Sequence, residues 1–429
     1  MIYFLKMKKL QTLLVSSGFR SLAGDTAWTM FSQVFVVLVN FGTVYVLANM
    51  LSQNDYGQFK LITTWLGIAL GVGYTGYNYT LPKKVSRGEN YNLQNIFKNT
   101  FIKSLPTLVG MIIISIYYFV NSNLNLSSGF FFGALLAPIL CTSSIVNIYY
   151  VGRKNFKMFA LAQNFVDSIQ LVAIALLAYL TSDFILIISA YFIATIFANL
   201  VIIFKAIRDD RKYKASEKYK YLNENNNLGE VLDEFEAKLE NKMQKKLNIS
   251  AIILGFTTQL DKLLIFHFIG AAPLAIYSIV TAISDQARTP SKAIASAIFP
   301  RMTADNFTKK KLYITYFLLT IFCLVIYVSL IILYPFIFSV FFPKYVEYIY
   351  LANIASLSII FAPYQLLYLF VQSKGDLKTL NSFANINTAL QIFLFIIATL
   401  LKSIALFLYF KSLIMFISIL FVFYRIRKY

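Results

Sequence analysis

The sequence predicts an all-α integral membrane protein, with twelve transmembrane helices in two six-helix lobes related by a parallel repeat around a central cavity. Composition is the first reason: 58% of the 429 residues are hydrophobic and only 14% are charged. A soluble domain averages about 45–50% apolar and about 25% charged. The second is that apolar stretches long enough to cross ~30 Å of hydrocarbon as helices recur twelve times along the chain. The third is that landmarks of the first half return in the second at an offset of 218 residues.

The apolar stretches fall at 27–50, 60–81, 101–120, 129–151, 161–180 and 184–205, then at 249–270, 274–299, 312–334, 347–372, 383–401 and 404–424. Ahead of the first, Lys6, Lys8 and Lys9 precede only a short apolar run, 10–15, so this segment reads as an amphipathic lead-in and not a signal peptide. A formal charge of +20 would ordinarily raise nucleic acid as a partner, but the basic residues sit in short loops between apolar stretches. They follow spans two, four, eight, ten and twelve, as in Arg153, Lys154 and Lys157 or Arg301 and Lys309 to Lys311. The alternate loops 51–59, 121–128, 181–183 and 270–273 have none, and the two others hold only Lys344 and Lys402. The bias toward positive cytoplasmic loops then puts both termini and the central linker in the cytoplasm. No nucleic-acid partner is expected.

The repeat rests on particular residues. Leu81-Pro82-Lys83 closes span two, and Phe299-Pro300-Arg301 closes span eight 218 positions later. Six spans per half make both halves cross in the same sense, a parallel repeat with a cavity between the halves. The expected organisation is therefore a lobe over 1–206, a cytoplasmic linker over 207–248 and a lobe over 249–429. Within the linker, Leu228, Val231, Leu232, Phe235, Leu239 and Met243 recur at helical spacing, which predicts a short amphipathic helix. Cys141 and Cys323 lie inside apolar stretches, and a single histidine is present, so neither a disulfide nor a metal site is expected.

Spans seven and eight break the apolar pattern. They carry Asp261, Lys262, Asp285, Arg288 and Lys292 in their middles, where one charge costs at least ~2.5–3.5 kcal/mol on insertion scales. Thr281, Asp285, Arg288, Lys292 and Ser296 share one narrow helical stripe, and Pro290 within it predicts a bend. A three-residue connection makes the two spans antiparallel neighbours, with Asp261 and Arg288 at similar depth. Two readings stand. One makes the carboxylates an ion-pair staple, although buried pairs are poor stabilisers. The other assigns them to a ligand or proton pathway, and three cations against two carboxylates leave a net +1 for an anion. Guanidinium forks suit phosphate oxygens, and lysines add point charge.

Weaker candidates complete the set. Gln33 and Asn40, seven apart on span one, either line the chamber or bond a neighbouring helix. Lys411 in span twelve either faces the cavity or snorkels outward. Asn164, Asp167 and Gln170 line one side of span five, and His267 falls opposite Asp261. The sequence has no nucleotide-binding glycine loop, zinc motif or nucleophile elbow. An enzyme is not expected, no cofactor is implied, and any driving energy must come from gradients.

Several motifs resemble one family in order and spacing: Val46 to Gly57 (VLANMLSQNDYG), Asp261-Lys262-Leu263-Leu264 with Ile269-Gly270 and Ile276-Tyr277, Phe299-Pro300-Arg301, and Phe341-Phe342-Pro343-Lys344-Tyr345. Together they resemble the Wzx-type oligosaccharide flippases of the multidrug/oligosaccharidyl-lipid/polysaccharide exporter superfamily, over nearly all of the chain except 212–245. The resemblance implies a two-lobed alternating-access transporter of a bacterial plasma (inner) membrane. Its cargo would be an undecaprenyl-pyrophosphate-linked oligosaccharide of O-antigen, capsule or exopolysaccharide. Arg288, Lys292 and Lys262 would hold the pyrophosphate, Asp261 and Asp285 would tune charge or couple an ion, and Gln33, Asn40, Thr281 and Lys411 would line the cavity. Pro290 would be the hinge. Partners would be that lipid, the surrounding membrane lipids, and a polymerase and chain-length regulator of the same pathway, with the protein itself a monomer. Lipid II flippases carry arginine in the first span, where this chain has Gln33 and Asn40, which argues against a peptidoglycan precursor. The alternatives are an ion-coupled multidrug or cation antiporter of the same superfamily, and a membrane polysaccharide polymerase. A polymerase would need a large outer loop, and the longest here is the short 334–346 stretch.

Overall fold

The computed structural model of the chain describes residues 17–73, 77–87, 89–181, 183–216, 252–253, 255–302, 308–373 and 377–426. The amphipathic lead-in at 1–16 and the predicted linker helix at 228–243 lie outside the described residues. Helices α1 (Ser17–Met50), α2 (Gln53–Gly73), α3 (Tyr77–Arg87), α4 (Leu93–Val120), α5 (Leu124–Gly152), α6 (Phe156–Leu180) and α7 (Phe184–Lys214) form the first part. The second contains α8 (Leu260–Phe268), α9 (Ala271–Ala287), α10 (Thr289–Met302), α11 (Lys309–Phe341), a 3₁₀ turn Pro343–Tyr348, α12 (Ile349–Ile360), α13 (Tyr364–Ser373), α14 (Leu377–Leu400) and α15 (Ile404–Ile426).

Among the described residues, nine helical segments are long and apolar enough to cross a membrane. The chain is an all-α, multi-pass membrane protein. Its outward surface agrees: α11 exposes Ile332, Phe317, Leu318 and Phe336 by 60–72%, apolar area that a soluble protein would bury.

Side-chain caps set where several of these helices begin. Asn92, Asn123, Asn155 and Asp183 each accept a hydrogen bond from a backbone N–H in the first turn of α4, α5, α6 and α7. A short polar side chain at that position satisfies donors that the helix itself leaves unpaired. Hydropathy marks only the bilayer part of each helix, so α4 starts eight residues before its predicted apolar stretch at 101.

The continuous helices expected for spans seven and ten are corrected by the structure, and span eight breaks close to Pro290, where the sequence predicts a bend. Span seven turns at Thr258 and Gln259 before α8 begins. Span eight is interrupted at Arg288, between α9 and α10. Span ten breaks at Phe361-Ala362-Pro363, where proline withholds a helix donor. Pro290 differs from Pro363: it stands in the first turn of α10, where a missing N–H costs nothing. Start points follow the 218-residue offset, with α2 opening at Gln53 and α9 at Ala271.

Contacts divide the chain into two compact units, Met1–Val46 with Trp65–Gly255, and Leu47–Thr64 with Phe256–Tyr429. In the first, α4 and α7 flank α5, whose Tyr149 and Tyr150 are fully buried with Leu81, Val85, Tyr91 and Ile96. Ser115 of α4 donates to the Ser127 carbonyl of α5 at 2.7 Å. In the second, α12 packs against α9, α11 and α15, and the Tyr334 and Ser356 hydroxyls hydrogen-bond across α11 and α12. Cys141 and Cys323 are buried and are not joined in a disulfide.

The second unit also contains a polar knot at the end of α1. Lys344 Nζ donates to the carbonyls of Asn49 and Leu51 at 2.6 and 3.1 Å, and Asn49 Nδ2 donates to the Phe341 carbonyl at 2.8 Å. A lysine is well matched to the unpaired carbonyls and negative dipole end of a helix terminus.

Two glycines are required by backbone geometry. Gly270, at φ 134°, makes the turn from α8 into α9, a conformation costly for any side chain. Gly57 lies so close to the start of α9 that a Cβ would overlap the Ala271 carbonyl. Gly57→Ala should therefore lower the melting temperature of the purified protein, because backbone cannot retreat as a side chain would, and overpacking costs about 1–3 kcal/mol. Gly110→Ala on α4 meets open space and should leave the melting temperature unchanged or higher; equal behaviour of the two would contradict the close crossing.

Candidate functional site

Asp261 sits in the first turn of α8 and is only 4% exposed. One carboxylate oxygen accepts from the Tyr277 hydroxyl of α9, the other from the Lys262 backbone N–H at 2.9 Å. A helix N-terminus favours negative charge, so the interruption before α8 supplies what a continuous apolar helix would deny this residue. Lys262 points its ammonium to Gln259 Oε1 at 2.9 Å. Gln391 of α14 donates to the Thr257 carbonyl at 3.0 Å, tying down the last residue before the turn.

Arg288 occupies the matching place at the end of α9, 5% exposed, where the helix dipole favours a cation. Its guanidinium forms an ion pair with Asp285 one turn earlier, and Nη1 donates to Met415 Sδ of α15 at 3.5 Å. Among the described residues, its buried Nε has no hydrogen-bond partner. Asp285 is half exposed and is shared: Lys411 Nζ of α15 lies 3.8 Å from the same carboxylate oxygen. Lys411 also stands 5.9 Å above the Tyr277 ring. Lys292 follows one turn later on α10 and is exposed.

Two members of this cluster were not singled out as site residues by the sequence. Tyr277 closes the hairpin by meeting Asp261, and both stand eight residues from Ile269, so counting depth across the turn would have found the pair. Lys60 belongs to α2 and to the same unit, half-buried, its ammonium 5.1 Å over the Tyr56 ring. As the first residue of an apolar stretch it reads as a boundary lysine. It lies within coulombic range of Lys262, and Lys411 within range of Asp261, Arg288 and Lys262. Lys292 is in range of Arg288 and Lys411. The unit thus gathers Lys60, Lys262, Arg288, Lys292 and Lys411 around Asp261 and Asp285, five cations against two carboxylates.

The remaining sequence candidates fall elsewhere. Thr281 is buried, and its hydroxyl donates to the Tyr277 carbonyl at 2.6 Å. Gln33 and Asn40 are half-buried on α1 in the first unit. Asn164 accepts from the Ser32 hydroxyl at 2.9 Å, joining α6 to α1. His267 is exposed. Ser296 lies within α10.

Comparison with known proteins agrees with this fold. Residues 22–229 match the polysaccharide biosynthesis protein family. No match was found among curated proteins. The solved structure of the lipid II flippase MurJ in an inward closed conformation superposes with a TM-score of 0.66 at 14% identity, over 94% of this chain and 87% of that one. A mutant of the Vibrio cholerae MATE transporter VcmN gives 0.60 at 12% identity over 96% and 97%. A MOP superfamily transporter from Pyrococcus furiosus, described as having a binding pocket of reverse polarity, gives 0.56 at 10% identity over 95% of both chains. The chain shares the fold of these solved transporters, the fold that the resemblance read from its sequence implies.

Replacing Tyr277 with Phe removes the donor to a buried carboxylate, a loss of about 1–3 kcal/mol. The variant should melt at a lower temperature in detergent, and combining it with Asp261→Asn should cost less than the two separate losses together. Additive losses would show that the two groups do not act as a pair.

Proposed function

We propose that this chain is a flippase for undecaprenyl-pyrophosphate-linked oligosaccharide repeat units of O-antigen, capsule or exopolysaccharide. It turns them from the cytoplasmic to the outer leaflet of a bacterial plasma membrane by ion-coupled alternating access. The observation that carries this reading is the excess of cations over carboxylates in the cluster around Arg288, together with the unpartnered Nε of Arg288. Buried guanidinium donors recognise phosphate oxygens in fixed geometry, and a pyrophosphate diester, doubly negative, offsets most of the cluster's excess charge. Arg288 and Lys292 hold the head group and Lys262 assists, while Asp261 and Asp285 keep the site from carrying five uncompensated cations between cargoes. The twelve-span organisation, with lobes at 1–206 and 249–429 joined through 207–248, belongs to the same proposal. Support comes from the polysaccharide biosynthesis family match and from the lipid II flippase among the fold's neighbours.

The MATE neighbours favour a second reading, an ion-coupled exporter of organic cations. Such a cargo needs a site dominated by carboxylates, and the opposite balance here argues against it. No enzymatic step is required by either reading.

Arg288→Ala should abolish surface polysaccharide in the producing bacterium, while the protein still inserts at wild-type abundance and lipid-linked oligosaccharide accumulates on the cytoplasmic side. Arg288→Lys keeps the charge without the fork and should restore only part of it. Normal polymer in the alanine variant would overturn the assignment.

A further inference from the structure

A second basic feature lies in the first unit, at the lysine-rich ends of α5, α6 and α7. Lys205, Arg208 and Lys212 follow one another at spacings of three and four along α7, so they form a stripe on one face. All three are exposed. They line a depression of about 520 Å³. Through Lys212 it continues into a groove of about 710 Å³ bordered by Arg153 and Lys154.

The carboxylates at this end are engaged by neighbouring groups, although Asp209 also lines both depressions. Asp209 accepts from the Tyr150 hydroxyl at 2.8 Å. Asp210 accepts from the Tyr91 hydroxyl at 2.7 Å and pairs with Lys214 at 3.2 Å. Arg153 is held in place by its own neighbours, 4.2 Å over the Tyr213 ring and 3.1 Å from the Tyr149 hydroxyl. Aromatic rings fixing a guanidinium at the end of an apolar helix are what a membrane interface selects.

Below Lys205 the surface changes character. A groove of about 400 Å³ between α6 and α7 starts at Lys205 and is walled by Leu161, Phe165, Val201 and Ile202. Leu161 and Phe165 are 41% and 39% exposed. A basic basin opening directly onto an apolar groove along two membrane helices matches an anionic head group attached to an acyl chain. Free phosphate would use only the basin, and a zwitterionic lipid would gain nothing from the stripe.

From this juxtaposition we propose that the α6–α7 face is a binding site for a resident anionic phospholipid. Its phosphate sits against Lys205, Arg208 and Lys212, and one chain lies in the groove below. Each basic residue near a membrane surface contributes about fivefold in affinity for anionic lipid. The site is separate from the charged cluster around Arg288 and needs no particular cargo for the transporter.

The test uses the full-length protein in mild detergent and native mass spectrometry, with phosphatidylglycerol and phosphatidylcholine of matched chains as probes. Wild type should retain phosphatidylglycerol in preference, and Lys205→Gln/Arg208→Gln/Lys212→Gln should lose roughly 10- to 100-fold of that preference. Exposed substitutions of this kind leave the fold intact, which an unchanged melting temperature verifies. Arg288→Ala should leave the preference untouched, which separates this site from the transport site. Equal retention of the two lipids by wild type, or an unchanged preference in the triple variant, would overturn the proposal. So would displacement of phosphatidylglycerol by inorganic pyrophosphate alone, which would reduce the site to one for a free anion. Stronger triple-variant-sensitive retention of undecaprenyl pyrophosphate would overturn it in favour of a cargo-loading site.

Discussion

Burying positive charge in an apolar helical unit is the constraint on which the rest of this structure depends. Each cation in the hydrocarbon region costs at least ~2.5–3.5 kcal/mol, and the second unit gathers Arg288, buried, with Lys60, Lys262 and Lys411, half-buried, and the exposed Lys292. Local architecture offsets part of that cost. Asp261 is placed at a helix start and Arg288 at a helix end, so the dipoles of α8 and α9 favour both charges. Those placements require the helices to be interrupted, and the interruptions are where the structure departs from continuous spans. Gly270 tightens the turn between α8 and α9, and the Gly57 contact with Ala271 brings α2 against the same hairpin. Lys60 reaches the cluster from α2. One electrostatic demand therefore accounts for short helices, glycines at crossings and a tyrosine buried against a carboxylate.

What compensation leaves over is the basis of the proposed function. An ion-pair staple would be balanced, with each buried donor matched to an acceptor. Here the Arg288 Nε has no partner among the described residues, and Asp285 is divided between Arg288 and Lys411. A site that remains net positive after its own carboxylates are counted attracts an anion and repels an organic cation. Polarity of this kind varies within the fold, since the Pyrococcus furiosus neighbour is itself described by a reversed pocket polarity. The fold is shared across exporters of different cargo, so charge at the site discriminates among them better than overall similarity does.

Much of this was legible in the sequence, for identifiable reasons. Hydropathy located the membrane segments because burial in lipid demands long apolar runs whatever the packing. The charges of spans seven and eight stood out because so few others interrupt those runs. Helix continuity was legible only in part: Pro290 marked a bend in span eight, and the break falls at Arg288 beside it, whereas the turn before α8 arises from tertiary pairing, of which an apolar run carries no mark. Lys60 was missed because a lysine beginning an apolar stretch looks identical whether it snorkels to water or faces other charges. Thr281, in line with Asp285 and Arg288 on the helix, instead bonds its own backbone, a preference that spacing cannot reveal.

The central claim is that the cluster around Arg288 binds an anionic head group. It is tested most directly by equilibrium binding to the purified protein in lipid nanodiscs. Undecaprenyl pyrophosphate would be compared with a lipophilic organic cation of similar chain length, in wild type and in Lys60→Gln/Lys262→Gln. The pyrophosphate lipid should bind the wild type in preference to the cation, and the double substitution should weaken it while leaving cation binding no worse. Preferential binding of the cation by the wild type would contradict the account.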